Sequence, residues 1–584
     1  MVDKNEVQHS IKEIFLVMQG GGAKGVAHAG GLIAIEEEML SIKGIAGTSA
    51  GSIAAALVAA GYTGKELADP KAQKHLFLRP PFGTEEGSLP YSKPTQLFTP
   101  LGWFVLRILK TIPGVPNRIL SPFSNRWALY CWWILIFVVS AGALGWMTLY
   151  EPKALRALPA IIWQSLKFAA PWLLLGLVFL FVWGLWGITS VRNVRKIIDR
   201  VIAKKLSDRL KLAGINKDCN ITFADMDLVG CPPLKIIATN TATESLELFC
   251  AERTPDVAVA DAVAASICLP IIFKPKRLIF TRRTPFADLK MKGKFLDGGL
   301  VSNLPAWALD EERLLHPGVP TIALSLSPPA PVNNKFWFAA LTGTVVNGSS
   351  EVHTRTPNKI LTVALETNAT LLDFDMPATS VYAEVAAAQA RVTKELSVAL
   401  RGPVVLQQAV SELHKELQAI LDAFRNHLYY PNPGKDRIRI GISVQRGNSM
   451  KTLSTAFTAG YRKADPDGEL TVLLKDSHAG AAWADGAVIV DDFGSGTAPR
   501  FPVSPRAWSA KTWLLCLPVT GATKPEQKAR PIVITIDSNV AFNRASPNFN
   551  QHYREFCTFI TALVEGYTES MDLAQYAQGA NTWL

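Results

Sequence analysis

The chain has 584 residues, of which 48% are hydrophobic and 19% charged, with a formal net charge of +11. That length calls for more than one domain, and that apolar content excludes a disordered chain. The 7 cysteines, odd in number and without a C-x-x-C pair, exclude a disulfide framework and a cysteine metal site, so free thiols and no metal are expected.

In chain order, Ile14 to Met18 reads as a short buried strand that ends at a glycine-rich loop, Gly20-Gly21-Gly22-Ala23-Lys24-Gly25. Val26 to Met39 reads as a helix, Ile42 to Ala46 as a second strand, and Ser52 to Ala60 as a helix closed by Gly61. Between the second strand and its helix stands Gly47-Thr48-Ser49-Ala50-Gly51, which fits G-x-S-x-G, the nucleophile elbow. There a Ser sits on a tight strand-to-helix turn, and the flanking glycines make room for it. The earlier glycine loop offers a row of backbone N–H groups free of side chains, the chemistry that holds an oxyanion. It is not a phosphate loop, because Lys24 is followed by Gly25 and Val26 where a magnesium-binding hydroxyl would be needed.

Two uncharged stretches follow, Trp127 to Tyr150 and Phe168 to Ser190. Each is long enough for a bilayer core, which needs about 20 helical residues, and both carry tryptophans near their ends. They are expected to form a transmembrane hairpin over 127–190. Arg107, Lys110, Arg118 and Arg126 precede it and Arg192, Arg195, Lys196 and Arg200 follow. The positive-inside rule then places both outer ends, and with them the remaining domains, in the cytoplasm. No secretory signal is visible, since Met1 to Glu13 is polar and Ile14 to Met18 is too short for an apolar signal core. The positive charge is spread along the chain, and anionic lipid headgroups explain it better than nucleic acid does.

Further on, Phe295-Leu296-Asp297-Gly298-Gly299-Leu300 sets an Asp between an apolar strand end and two glycines, followed by Val301-Ser302-Asn303-Leu304-Pro305. The glycine loop, the Ser elbow and this D-G-G, in that order, resemble the motifs of the patatin-like phospholipase family. Leu234 to Asn240 and Asp261 to Ser266 add further similarity, and the resemblance covers residues 10–400 apart from the apolar insertion. It implies a three-layer α/β/α catalytic domain with a Ser–Asp dyad and no cofactor. Ser49 would form an acyl-enzyme with a membrane phospholipid, and Asp297 would act as general base. The oxyanion would be held by Gly20, Gly21, Gly22 and Gly25, with Lys24 orienting the loop; Gly47, Gly51, Gly298 and Gly299 would shape the elbow and the Asp turn. A Ser–His–Asp enzyme is the rival, with His316 and His353 as candidates for its base; His28 reads as a packed or surface residue.

The last third begins with a helical tract from Pro377 to about Leu400. Gly402-Pro403 is expected to break it before a second helix, Val404 to Leu428. Arg437 to Val444, Leu470 to Leu474, Trp513 to Val519 and Pro531 to Asp537 read as strands, and Phe549 to Val564 as a closing helix. With Ala479 to Trp483, Val488 to Asp492 and Ile534 to Ser538, this α+β segment resembles GAF domains over residues 430–575. That implies either a small-molecule effector site that regulates the enzyme or a structural module that pairs into a homo-oligomer.

The expected organisation is a catalytic domain over 1–400, the hairpin inserted at 127–190, and a connecting helix with the GAF-like domain over 401–584. The leading reading is a membrane-anchored lipid acyl hydrolase. A non-catalytic membrane sensor and a lipid acyltransferase using the same acyl-enzyme are the alternatives.

Overall fold

The structure, a computed structural model, describes residues 13–76, 102–103, 187–327 and 360–577, less short stretches within the longer spans. Its contacts divide the chain into two compact units, one holding residues 13–357 and 362–392 and the other chiefly residues 393–584.

The first unit opens with β1 (Glu13–Met18), α1 (Ala27–Glu37), β2 (Ser41–Thr48) and α2 (Ala50–Ala59). Ile14 to Met18 are fully buried, as a strand covered on both faces must be. The helix after the glycine loop starts as a 3-10 turn over Gly22–Val26. There follow α3 (Arg192–Leu212), β3 (Leu234–Asn240), β4 (Ser245–Phe249), α4 (Val259–Ser266), β5 (Lys276–Arg283) and β6 (Asp288–Asp297), then β7 (Thr321–Ser327) and β8 (Ile360–Glu366). These eight strands make one mixed sheet in the order β8-β7-β1-β2-β3-β6-β5, with β4 also pairing β3. Strands β7, β1, β2 and β3 run parallel, whereas β6 joins β3 antiparallel. The fold is therefore mixed α/β. The parallel strands deliver their carboxyl ends to one edge, where open α/β sheets bind ligands.

The expected membrane hairpin lies outside the described residues, except at its end. Among the described residues no helix is long and apolar enough to cross a membrane. Gly187 and Thr189 belong to the folded unit, which corrects the far limit of the second apolar stretch. Thr189 is buried and donates its N–H to Ile272, while its carbonyl accepts from Lys274, both at 2.8 Å. Gly187 has φ +91, and a Cβ there would lie 2.6 Å from the Lys274 nitrogen. Backbone pairing and this close approach, neither visible in a hydropathy pattern, claim the segment.

Helix α5 (Ala378–Leu428) runs without interruption through Pro403, where a break is expected from the sequence. An interior Pro costs about 3 kcal/mol. Leu400 and Leu406, buried on either side of it, each contribute about 2 kcal/mol by leaving water. With Leu396, Val410 and Leu413 continuing the same buried stripe, packing outweighs the missing hydrogen bond.

The second unit is an antiparallel sheet of β9 (Ile438–Gln445), β10 (Thr452–Ala459), β11 (Thr471–Leu473), β12 (Ile489–Asp492), β13 (Trp513–Val519) and β14 (Ile532–Ser538), in the order β11-β10-β9-β14-β13-β12. Helix α6 (His478–Asp485) lies between β11 and β12, and α7 (Phe549–Met571) follows the last strand. Alternate residues of β9 and β14, Ile438, Ile440 and Ile442 with Ile532, Ile534 and Ile536, join buried residues of α5 and α7 in one core. Strand β10 escapes sequence reading because Thr452, Ser454, Thr455 and Thr458 leave it too few apolar residues to show a period of two.

Candidate functional site

Three motifs distant in the chain meet at the carboxyl ends of the central strands. Ser49 follows β2 directly and caps α2 with φ +53 and ψ −125. A β-carbon at positive φ is strained, as a nucleophile elbow requires. The turn closes because its neighbours are glycines: a Cβ on Gly47 would lie 2.4 Å from the Gly51 carbonyl oxygen, and one on Gly51 would lie 2.2 Å from that of Met18.

Asp297 is the last residue of β6, paired with Ala238 of β3. The Ser49 hydroxyl donates to Asp297 Oδ2 at 2.7 Å, and the Gly299 amide donates to Oδ1 at 2.8 Å. Thr239 Oγ1 donates to the Asp297 carbonyl, and the Asp297 N–H donates to the Cys268 carbonyl, so the residue is fixed at both ends. Gly298 packs against β3, where a Cβ would lie 2.1 Å from the Ile237 oxygen. Burial pushes the Asp297 carboxyl up to about 6, and the hydrogen bonds from Ser49 and Gly299 only partly oppose this. A carboxyl raised into that range and bonded to a Ser hydroxyl has the properties of a general base.

Other partners were not legible as such in the sequence. Ser266, the last residue of α4, accepts the Ser49 N–H at 2.8 Å and donates its hydroxyl to the Ile237 carbonyl at 2.6 Å. Thr48 Oγ1 donates to the Ser302 carbonyl at 2.9 Å, joining the elbow to the Asp turn, and the Ser52 hydroxyl donates to the Ser49 carbonyl. Asn303 lies between the glycine loop and that turn. Its Oδ1 stands 2.7 Å from where a Gly20 Cβ would be and 2.9 Å from where a Gly299 Cβ would be. Runs of three recognisable motifs point to Ser49 and Asp297, but a Ser ending an alanine-rich helix carries no signal of its own.

The glycine loop is placed beside Ser49, with one change in role. The Gly20 N–H donates to the Asn303 carbonyl at 3.1 Å, so Gly20 supplies space and not a donor. A Cβ there would lie 2.8 Å from that of Ser49. Gly21 precedes the 3-10 turn, Gly22 opens it with φ +58, and the Lys24 N–H donates to the Gly21 carbonyl. Gly25 packs on Ala50, whose Cβ is 2.8 Å from where a Gly25 Cβ would sit. Ala50, as the first residue of α2, adds an amide without an intrahelical acceptor.

Of the histidines, His28 is fully buried with Nε2 2.9 Å from the Gln19 carbonyl, and burial lowers it to about 4. It stays neutral and braces the strand end before the glycine loop. His316 follows a short helix, Asp310–Leu315, and His353 lies outside the described residues. Among the described residues no group of three or more His, Cys, Asp or Glu could hold a metal ion.

A Ser on a strained elbow, hydrogen-bonded to a buried carboxyl and facing a glycine loop, is the architecture of a serine ester hydrolase. Residues 16–78 and 135–310 match the family described as patatin-like phospholipase. A stretch of 51 residues is 53% identical to the uncharacterized protein YqhO of Bacillus subtilis (strain 168), covering 9% of this chain and 18% of that protein. The chain therefore spans less than a fifth of the curated relative it matches. Among solved structures, VipD from Legionella pneumophila is 14% identical with a TM-score of 0.29, over 70% of this chain and 78% of that one. The GAF domain of A. Aeolicus nlh2 is 15% identical with a TM-score of 0.19, over 30% of this chain and 96% of that one.

Proposed function

We propose that the protein is a membrane-anchored serine lipid acyl hydrolase that cleaves phospholipid esters through Ser49 and Asp297. The observation that carries this is the 2.7 Å hydrogen bond from the Ser49 hydroxyl to a buried Asp297 at a positive-φ elbow. Asp297 takes the Ser49 proton as Oγ attacks the ester carbonyl, and the tetrahedral oxyanion is met by the amides of Gly21, Gly22 and Ala50 with Gly25 and Lys24 shaping the loop. On collapse the leaving lysolipid oxygen takes that proton from Asp297, and the regenerated carboxylate then activates the water that releases the fatty acid. The two uncharged stretches within 127–190 anchor the enzyme as a two-pass protein, with the catalytic and C-terminal units cytoplasmic. The GAF-like unit serves as a regulatory or dimerising module.

The test is fatty-acid release from mixed phospholipid vesicles by the detergent-purified protein. Release by the wild type that Ser49→Ala lacks, with fluorophosphonate labelling lost in the same variant, is the expected result. Labelling that persists in Ser49→Ala would reject Ser49 as the nucleophile, and product appearing on an added acceptor lipid instead of as free fatty acid would assign an acyltransferase.

Ser266 acts as a positioning residue for the elbow. Removing its hydroxyl leaves the buried Ser49 N–H unpaired, worth about 1–3 kcal/mol. Ser266→Ala is expected to lower kcat about tenfold with KM unchanged, and Ser266→Thr to restore most of it. Equal kcat in wild type and Ser266→Ala would show that the elbow holds its geometry without this bridge.

A further inference from the structure

The hairpin β5–β6 forms the edge of the catalytic sheet and presents two unlike faces. One face is anchored. Phe280 and Phe295 pack with Phe249 of β4, with ring centroids 5.3 to 5.9 Å apart, and Arg282 pairs with Glu247. Successive residues alternate between faces, so the opposite face carries Arg277, Ile279 and Arg283 from β5. Their cross-strand partners are Lys294, Lys292 and Asp288, with Lys290 between the last two.

That outer face is exposed and holds five cations against one carboxylate, and none of the five makes an ion pair among the described residues. Arg277 stands directly opposite Lys294, a like-charge pairing that works against the hairpin's own stability. Ile279, in the middle of the face, is 76% exposed, and Phe286 at the turn is 96% exposed. The turn is well built, with the Thr284 hydroxyl donating to the Ala287 carbonyl at 2.7 Å, so Phe286 is held outward by a formed structure. Lysines on an edge strand guard against strand pairing, but that purpose gives no reason to expose a Phe and an Ile among them.

We propose that this face docks on an anionic lipid surface, with Phe286 entering the interfacial layer and the five cations lying over the headgroups. Cations beside exposed apolar side chains on one rigid element complement a negatively charged bilayer surface better than a purely polar partner. Strand β6 ends at Asp297, and Lys294 is three residues before it, roughly 10 Å along the strand. Docking therefore fixes the candidate base near the headgroup layer. The choice of lipid as partner rests on the hydrolase reading above, while the test reads docking alone.

The test is amide hydrogen exchange of the full chain carrying Ser49→Ala, so that no lipid is consumed, in discs of phosphatidylcholine alone or with about a third phosphatidylglycerol. Exchange in residues 284–287 and along the outward edge of β5 is expected to slow about tenfold or more in the anionic discs. Lys290→Glu/Lys292→Glu/Lys294→Glu should lose that protection, and Phe286→Ser should lose most of it, with β1 unchanged as the check on folding. Equal exchange in the two discs, or protection that survives the charge reversal, overturns the proposal. Protection by a duplex oligonucleotide or an acidic peptide in place of the anionic discs overturns it as well. A failure of the catalytic reading would leave this readout untouched, because no turnover is measured.

Discussion

Asp297→Asn is expected to lower kcat by about 10²–10⁴-fold without disturbing the fold. The amide oxygen keeps the Gly299 N–H at 2.8 Å, and the NH2 that replaces Oδ2 can donate to Ser49 Oγ, so the contact at 2.7 Å persists with its direction reversed. What it loses is the ability to take a proton. Because burial lifts the Asp297 carboxyl to about 6, the base is available only above that pH. In the proposed mechanism kcat/KM therefore rises as pH increases through about 6 and then levels off. The residual activity of Asp297→Asn should lack that limb. A profile that titrates near neutrality in both forms would point to a different base.

The same carboxyl links activity to stability, and the sign is opposite to that of an ordinary salt-bridged Asp. Its folded value, about 6, lies above the ordinary 3.8, so the native state binds the proton more tightly than the unfolded chain. The stability it contributes is fully present below pH 3.8 and is lost as pH rises through about 6. A shift of that size corresponds to about 3 kcal/mol. Relative to Asp297→Asn, the wild type should thus weaken by roughly that amount between pH 4 and pH 7. Urea midpoints of the pair across that range measure it. A constant difference would mean that the carboxyl titrates alike folded and unfolded. Burying a group that must ionise costs stability wherever it is ready to work.

How much of this was readable beforehand depends on whether a feature leaves a mark within a few residues. Ser49 and Asp297 did, because a tight elbow and a tight Asp turn each demand glycines at fixed offsets, and the structure shows what those glycines avoid. Gly47, Gly51 and Gly298 each face a backbone oxygen at 2.1 to 2.4 Å from a hypothetical Cβ. The central strand Ile14 to Met18 was plain for a similar reason, being apolar throughout. Partners that meet only in the fold were not. Ser266 is 217 residues from Ser49, and no local pattern marks its hydroxyl. The use of the Gly20 amide by Asn303 is likewise a long-range event, and it removes one expected oxyanion donor. At Pro403 the local rule was sound and lost to burial on both sides of it, a term that only the packed structure supplies.

Arg439→Met is expected to destabilise the C-terminal unit by about 3–5 kcal/mol. Arg439 is fully buried on β9, pointing to the sheet face opposite the Ile438–Ile440 core because residues alternate along the strand. Its guanidinium hydrogen-bonds to Asp537 at 2.6 and 2.7 Å and to Asp467 at 2.8 and 2.9 Å, has Asp465 as a third carboxylate at 3.6 Å, and lies 4.2 Å from the centre of the Tyr461 ring. The planar fork matches a carboxylate in a way Lys could not, so Arg439→Lys should be costly too. Met fills similar volume but removes the guanidinium that faces Asp467 and Asp537, which are 4% and 6% exposed. An uncompensated buried charge, more than the lost attraction, sets the size of the effect. Hence the combined variant Arg439→Met/Asp467→Leu/Asp537→Leu should recover most of the loss, since buried ion pairs exchange for apolar groups at little net cost. Hydrogen exchange in β9 and β14 of the full chain, followed through a urea series, resolves this unit from the catalytic one. A single variant as stable as the wild type would show that water reaches the cluster and solvates the carboxylates. A combined variant no better than the single one would show instead that the three side chains hold the sheet through their shape and hydrogen bonds, and not through charge balance.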